Sequence, residues 1–507
     1  MLPTREPPLQ VFKKQHKNNK DMAKQTKQNP LQEELASMHD QLEAQRKVRE
    51  DQLISLNLGR IADAVESKAE LIAEVLKMTH GKGVKRIMCI VQDEIIRAAG
   101  DALWCPNFSL RPNVDQDINI YVNTHWIAID ASVWKYFVVQ CAERCGVPHD
   151  LMMDSDFKKK LINNLASNIF RSIVNIIPED EVWLNMPDET LVIKSDGSVS
   201  RHPHRQGDLF YYCLSYCYDP KAECPIWHAT LDRVLPEKEA QLLLAEYFCY
   251  TLMRTHRYER MLWLFGPGQN GKSTVLNVFQ ELLGAANIST ISMSLLTKDQ
   301  KIRYGILHKK ANVSSETGRD VDPDVLKQLV SGEKVTMERK YHDAFQTDDY
   351  GKFIVATNTM PVPEDSWAFY RRMILMPFQV VIPDEEKDTQ LIDKLKEELP
   401  GILNWVLAAF PGLVERNEFT KSKLCDDALQ RYMARADSVS LFVEQMCEKS
   451  ATPSRGSELF AAYKDFSQFI QVPKEKKAGR NDFYDRLKKY AAPIGNDARM
   501  FYLKLSV

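Results

Sequence analysis

The stretch Gly266-Pro267-Gly268-Gln269-Asn270-Gly271-Lys272-Ser273-Thr274 constrains this chain more than any other segment. It follows the apolar run Met261-Leu262-Trp263-Leu264-Phe265, which reads as a buried strand. It opens a segment that places Val275, Leu276, Phe279, Leu282 and Leu283 at helical spacing and stops at Gly284. Strand, glycine-rich loop and helix together form the context of a phosphate-binding loop. Gly266, Gly268 and Gly271 let backbone N–H groups curl around a phosphate, and Asn270 and Thr274 complete the cradle. The helix N-terminus adds positive potential. Lys272 is spaced to reach the β- and γ-phosphates, and the Ser273 hydroxyl to ligate Mg²⁺. The expected cofactors are therefore ATP and Mg²⁺.

A chain of 507 residues implies roughly three or four domains. It is 44% hydrophobic and 27% charged, enough apolar content for sizeable cores. The net charge of -2 gives no global signal for nucleic acid, so any basic surface must be local. No apolar run approaches the ~20 residues that span a bilayer, so no membrane partner is expected. The N-terminus carries Arg5, Lys13, Lys14 and Lys17 without an apolar core, unlike a secretory signal. Ten cysteines in a chain of this size do not suggest a disulfide framework. A reducing compartment, the cytoplasm, is expected.

Residues 1–30 read as a basic disordered tail. Residues 31–83 read as a helical segment, either a packed hairpin or an oligomerisation helix. Residues 84–255 form a mixed region. In it, Ile118–Val122 and Trp126–Ile129 suggest a hairpin, 131–146 and 156–176 look helical, and 183–197 suggest a β meander. Helix resumes from Glu237 to Met253. His202, His204, Cys213, Cys217, Cys224 and His228 invite a zinc reading, but the spacings are loose and tyrosines interleave. Ordinary buried thiols are the simpler expectation.

Past the phosphate loop, Lys310-Ala311-Asn312-Val313-Ser314-Ser315-Glu316 is a short strand ending in an acid. Such an acid can polarise water or reach a metal; alone, it is also an ordinary strand end. Lys352-Phe353-Ile354-Val355-Ala356-Thr357-Asn358 is a strand ending in an amide, either a γ-phosphate sensor or the start of a turn before Pro361. Arg371-Arg372 precedes the strand Met373–Pro377 and suits an arginine finger, or simply a surface. Between the acid and the amide, Val335-Thr336-Met337 and Phe353-Ile354-Val355 bracket a polar stretch that projects Arg339, Lys340 and His342.

These elements, in this order, resemble the ATPase of superfamily III helicases. The likeness is strongest to the phage/plasmid primase–helicase group, which includes the poxvirus nucleoside-triphosphatase–primase. It rests on the phosphate loop, Ser-Ser-Glu-Thr at 314–317, Ser331-Gly332-Glu333, Thr357-Asn358 with Pro361, and Arg371-Arg372 before Pro377-Phe378. Asp219-Pro220 and Cys224-Pro225-Ile226-Trp227 extend it upstream. The resemblance implies an α/β fold with a P-loop, AAA+-like ATPase core over 256–400. A mostly helical mixed domain would precede it, and a helical connector (401–436) and a winged-helix-like domain (437–507) would follow. It implies Lys272, Glu316, Asn358 and Arg372 (or Arg371) as catalytic residues, with metal held by Ser273 and Glu316. It places Lys340, His342 and Arg339 on single-stranded or forked DNA inside a homo-oligomeric ring, a hexamer by the family's habit, moving 3′ to 5′. Ser315 stands where many ATPases put an Asp. The roughly 110 residues before the resemblance are too few for a primase domain, so priming would fall to a separate primase.

The C-terminal segment supports nucleic acid on its own terms. Asp437–Cys447, the run from Leu459 to Ile470, and Phe483–Tyr490 read as three helices, and Phe501–Leu505 reads as a strand. Arg480, Lys488 and neighbouring lysines concentrate charge there, although Glu475, Asp482 and Asp485 dilute it. Two other readings stay open: an ATP-regulated origin-melting switch with little unwinding, and an ATPase remodelling protein substrates.

Overall fold

The computed structural model describes residues 30–80, 82–106, 117–172, 177–314, 321–339, 343–358, 367–469, 472, 477–491 and 500–505. The basic tail up to residue 29, Ser315, Glu316, Lys340 and His342 fall outside these residues.

The upstream domain runs α1 (Pro30–Asp63), α2 (Ala69–Met78), α3 (Val84–Ala99), β1 (Leu103–Trp104), β2 (Asn119–Tyr121), β3 (Trp126–Ala128), α4 (Ala131–Arg144), α5 (His149–Met153) and α6 (Ser155–Asn168). The expected hairpin forms, with Ile120 opposite Ile127. Asp130 and Asp154 cap α4 and α6 by accepting from Ser132 N and Asp156 N. Residues 31–83 are helical over α1 and α2 and pack against the helices that follow. Ile54, Leu58, Ile61, Ile72 and Ile87 share one core with Val138, Leu161 and Leu165. The apolar stripe on the second half of α1 needs burial, and the domain's own helices supply it. Glu94 of α3 fixes the break between α1 and α2. Its carboxylate, held down at about 2 chiefly by the Arg97 guanidinium, also accepts from Glu66 N at 2.8 Å.

The meander β4 (Glu181–Asn185), β5 (Thr190–Lys194) and β6 (Val199–His202) follows, then α7 (Pro225–Val234) and α8 (Lys238–Leu252). These residues touch the upstream domain, through Asn185 donating to the Thr124 carbonyl and Trp126 Nε1 to the Gln206 carbonyl, but their apolar side chains go elsewhere. Val182, Leu184, Ile193, Trp227 and Leu244 join the core of the next unit instead.

That unit is a five-stranded, all-parallel sheet ordered β13-β7-β12-β9-β8. Its strands are β7 (Met261–Phe265), β8 (Ile288–Ser289), β9 (Ala311–Ser314), β12 (Lys352–Thr357) and β13 (Met373–Pro377). Near-continuous apolar runs are what a parallel sheet covered on both faces requires. The period-2 alternation divides them. Leu262, Leu264, Ile354, Ala356, Ile374 and Met376 face α8, the helix α9 (Lys272–Leu283) and, later in the chain, α11 (Leu399–Ala408). Met261, Trp263, Phe353, Val355, Met373 and Leu375 face the other way, toward α10 (Pro323–Ser331) and the C-terminal segment. The antiparallel pair β10 (Val335–Met337) and β11 (Phe345–Thr347) projects between β9 and β12.

The C-terminal segment departs from expectation in two places. The 436/437 boundary falls inside α12 (Lys423–Met446), one continuous helix capped by Ser422 accepting from Cys425 N. Its length follows from packing along the sheet's outer face, where Tyr432, Val439 and Phe442 join the core of β7 and β13. Residues Cys447–Arg455, one end of which was read as helix, form β14, pairing with β15 (Met500–Leu505) through Cys447↔Leu505. Between them lie α13 (Gly456–Phe469) and α14 (Arg480–Leu487). All ten cysteines are free thiols. No helix among the described residues is long and apolar enough to cross a membrane.

Candidate nucleotide site

In open α/β sheets, ligands collect outside the carboxyl ends of the strands. The glycine-rich loop lies at that end of β7. Gly268 and Gly271 adopt φ of +104° and +84°, values that L side chains rarely take. A Cβ on Gly271 would lie 2.6 Å from Val234 Cγ1 of α7, so glycine is required twice over there. A Cβ on Gly266 would meet the Phe378 carbonyl oxygen at 2.1 Å, whereas one on Gly268 would meet nothing within 4 Å. The loop is thus pinned from behind and open at Gly268.

Lys272 begins α9 and is 2% exposed. Its ammonium donates to the Gly266 carbonyl and to Asn270 Oδ1, both at 2.9 Å. Burial pushes its pKa down to about 8. Neutral oxygens take two of its three hydrogens and, among the described residues, offer no counter-charge, and a desolvated ammonium so held favours an arriving anion. Asn270 also donates to the Phe378 carbonyl at 2.8 Å. Its role in the loop is therefore structural as well as local: one amide ties the lysine to the end of β13. Ser273 and Thr274 follow on the first turn, half-buried.

The neighbouring strand ends converge on this loop. Thr357 of β12 and Pro377 of β13 both sit in register with Phe265, and Gly266 N donates to the Thr357 carbonyl at 3.3 Å. Asn358 comes next and is exposed beside the loop. Ser314, the last residue of β9, is in register with Val355, two residues short of Thr357. Its buried Oγ has no hydrogen-bond partner among the described residues.

Arg371 and Arg372 lie elsewhere. They precede β13, and Met373 is in register with Met261, the first residue of β7. That places them about one strand length, roughly 15 Å, from the loop of their own chain. Arg372 is buried, donates to Ser331 Oγ at 2.8 Å and pairs with Glu259 at 3.0 Å. The Arg371 side chain is 54% exposed. Glu259 gave no signal in the sequence; it is one acid in an Arg-Tyr-Glu-Arg turn with φ of +46°. Of the hairpin residues, Arg339 is ion-paired with Asp117 of the upstream domain. Arg480 donates to Tyr484 Oη and Lys488 pairs with Asp485 at 2.8 Å, so both are occupied within or beside α14. Among the described residues no group of three or more His, Cys, Asp or Glu gathers as a metal cluster.

A family of unknown function, DUF5906, matches residues 264–372, from the end of β7 to Arg372. "Putative helicase 121R" of Invertebrate iridescent virus 3 is 21% identical over 254 residues. The match covers 42% of this chain and 27% of that protein, so the chain spans about a quarter of this relative's length. The apo A-form structure of the NrS-1 C-terminal region is 13% identical with a TM-score of 0.35, covering 52% of this chain and 77% of that one. The apo structure of NrS-1 residues 305–718 is 12% identical with a TM-score of 0.39, covering 71% and 80%.

Proposed function

We propose that this chain is an ATP-dependent DNA helicase whose subunits assemble around single-stranded DNA. The observation that carries the reading is Lys272, a desolvated ammonium at the carboxyl end of a parallel sheet whose hydrogen-bond acceptors among the described residues are neutral oxygens. The distant similarity to a viral protein named as a helicase supports the same direction.

On this reading, the loop N–H groups and Lys272 hold the triphosphate, and Ser273 is placed to hold Mg²⁺. The metal would neutralise charge on the β- and γ-oxygens. Glu316, two residues past β9, takes the proton of the attacking water. Asn358, beside the loop, orients that water or the γ-phosphate. The arginines at the opposite end of the sheet act only on a neighbouring subunit's nucleotide, because roughly 15 Å separates them from their own. Arg371, the more exposed of the two, is the better placed to do so. The segment between β10 and β11 in the sequence, which carries Lys340 and His342, grips the strand; Arg339 must first leave Asp117.

The test is steady-state ATP hydrolysis with and without single-stranded DNA, together with strand separation on a fork. Wild-type chain should hydrolyse faster with DNA and separate the fork, and Lys272→Ala should do neither. Hydrolysis that persists in Lys272→Ala would sink the reading.

A further inference from the structure

A cavity of about 1120 Å³ lies at the other end of the sheet, between the upstream domain and the segments that lead into β8, β9 and β12. That is slightly above the ~300–1,000 Å³ typical of pockets for drug-sized ligands. Its walls combine aromatic rings with cations. Tyr211, 36% exposed, stacks on His308 with ring centroids 5.7 Å apart and planes 12° apart. Trp104 lies behind Tyr211 at 6.5 Å. Two residues after His308, the Lys310 ammonium lies 5.6 Å from the Tyr212 ring centre. No carboxylate forms an ion pair with Lys310 among the described residues.

Three of the cavity's six acids are engaged by other groups, and one of these, Asp349, also offsets part of the charge on Lys310 and Lys352. Glu50 pairs with Arg46, Asp349 pairs with His308 at 2.7 Å, and Glu181 accepts from Trp183 Nε1 at 2.7 Å. Burial pushes the Lys310 pKa down to about 8, with Arg254 adding to the effect. Burial, with Lys310 and Arg254, drives Lys352 well below the ordinary lysine range. Lys352 is held by the Met253 carbonyl and the Tyr250 ring. Clustered, desolvated cations destabilise a fold unless an anion answers them. A stacked aromatic pair beside them specifies what that anion carries.

We propose that this cleft binds one nucleotide unit, with its base on the stacked Tyr211–His308 pair and its phosphate at Lys310. It deepens the nucleic-acid part of the function proposed above but uses none of the residues assigned there. The cleft adjoins Asp348–Gly351, directly after β11 in the chain. A free mononucleotide has the same chemistry and is the other source.

The experiment uses the full chain carrying Lys272→Ala, which disables the phosphate loop. Retention of fluorescent oligothymidylate at low salt is measured, with dTMP as competitor. Lys310→Met and Tyr211→Leu should each weaken retention by roughly 5- to 100-fold, the range of one stacked base. Lys310→Met should also lower the salt slope by about one. Its Tm should hold or rise, because it removes a half-buried, desolvated charge while keeping volume; that separates lost binding from lost fold. Competition by dTMP identifies a free nucleotide as the source, and its absence identifies a strand; both support the site. Retention of oligothymidylate and dTMP within twofold of the parent in both variants would overturn it. ATP turnover by the Lys272→Ala parent would instead count against the nucleotide site alone.

Discussion

The two ends of the parallel sheet handle positive charge in opposite ways. At the carboxyl end, one lysine is buried in a loop of glycines, satisfied by a carbonyl and an amide, and backbone N–H groups supply the remaining potential. At the amino end, the cations are side chains, Lys310 and Lys352, set among tyrosines and an aromatic stack. A backbone cradle recognises the geometry of a phosphate chain and little else. An aromatic and cationic cleft recognises a base and a charge together. The same strands therefore present two surfaces, one suited to a triphosphate and the other to a nucleotide unit.

The sharpest way to break this division is at the arginines. If Arg371 serves a neighbour's nucleotide, Arg371→Ala should cut ATP turnover on the order of 10³-fold. Mixing it into wild-type chain should suppress activity more steeply than dilution, and a linear titration of activity against fraction would remove the in-trans role. Lys272→Ala should cost on the order of 10²–10³-fold in turnover, as for loss of one preorganised donor. Measured beside Lys310→Met, it separates the ends: the first abolishes ATP retention, the second does not abolish it.

Acidity gives a third handle. The Lys272 pKa, lowered to about 8, lies below the ordinary lysine value, so the free protein loses that proton as pH rises through 8. Phosphate binding needs the ammonium, so ATP should bind without proton uptake near pH 6.5 and take up close to one proton at pH 9. Affinity should fall by up to about tenfold per pH unit above 8. Calorimetry in buffers of different ionisation enthalpy reads this directly, and a flat profile would mean the lysine keeps its proton. The smallest effect is structural. Gly271→Ala should destabilise by about 1–3 kcal/mol through its positive φ and the contact with Val234. Thermal unfolding should register it, and an unchanged Tm would show that α7 yields.

Legibility in the sequence followed the range of the interactions. The glycine-rich loop is written locally, in glycine positions and an apolar run, and the strand before it and the helix after it form where the spacing put them. The helices from α10 onward were also readable from spacing, with Gly332 ending α10 in the left-handed conformation. β14 was not, because Cys447–Arg455 is polar and owes its extension to β15, about fifty residues on. Neither was the Arg339–Asp117 pair, whose members are 222 residues apart. The amino-end cleft left no pattern at all: Lys310 and Lys352 read as polar strand starts, and nothing nearby predicts that the first is half-buried and the second buried.

The long helix α12 carries one more consequence. It spans 24 residues, so it is a rod of about 36 Å. Its apolar side is seated on the edge strand that begins right after Arg372, and it runs on into the C-terminal body. A tilt of roughly five degrees at that seat sweeps the far tip by about 3 Å, nearly the axial step between stacked bases. Small rearrangements where two subunits would meet are thereby geared up at the periphery, without any hinge being needed.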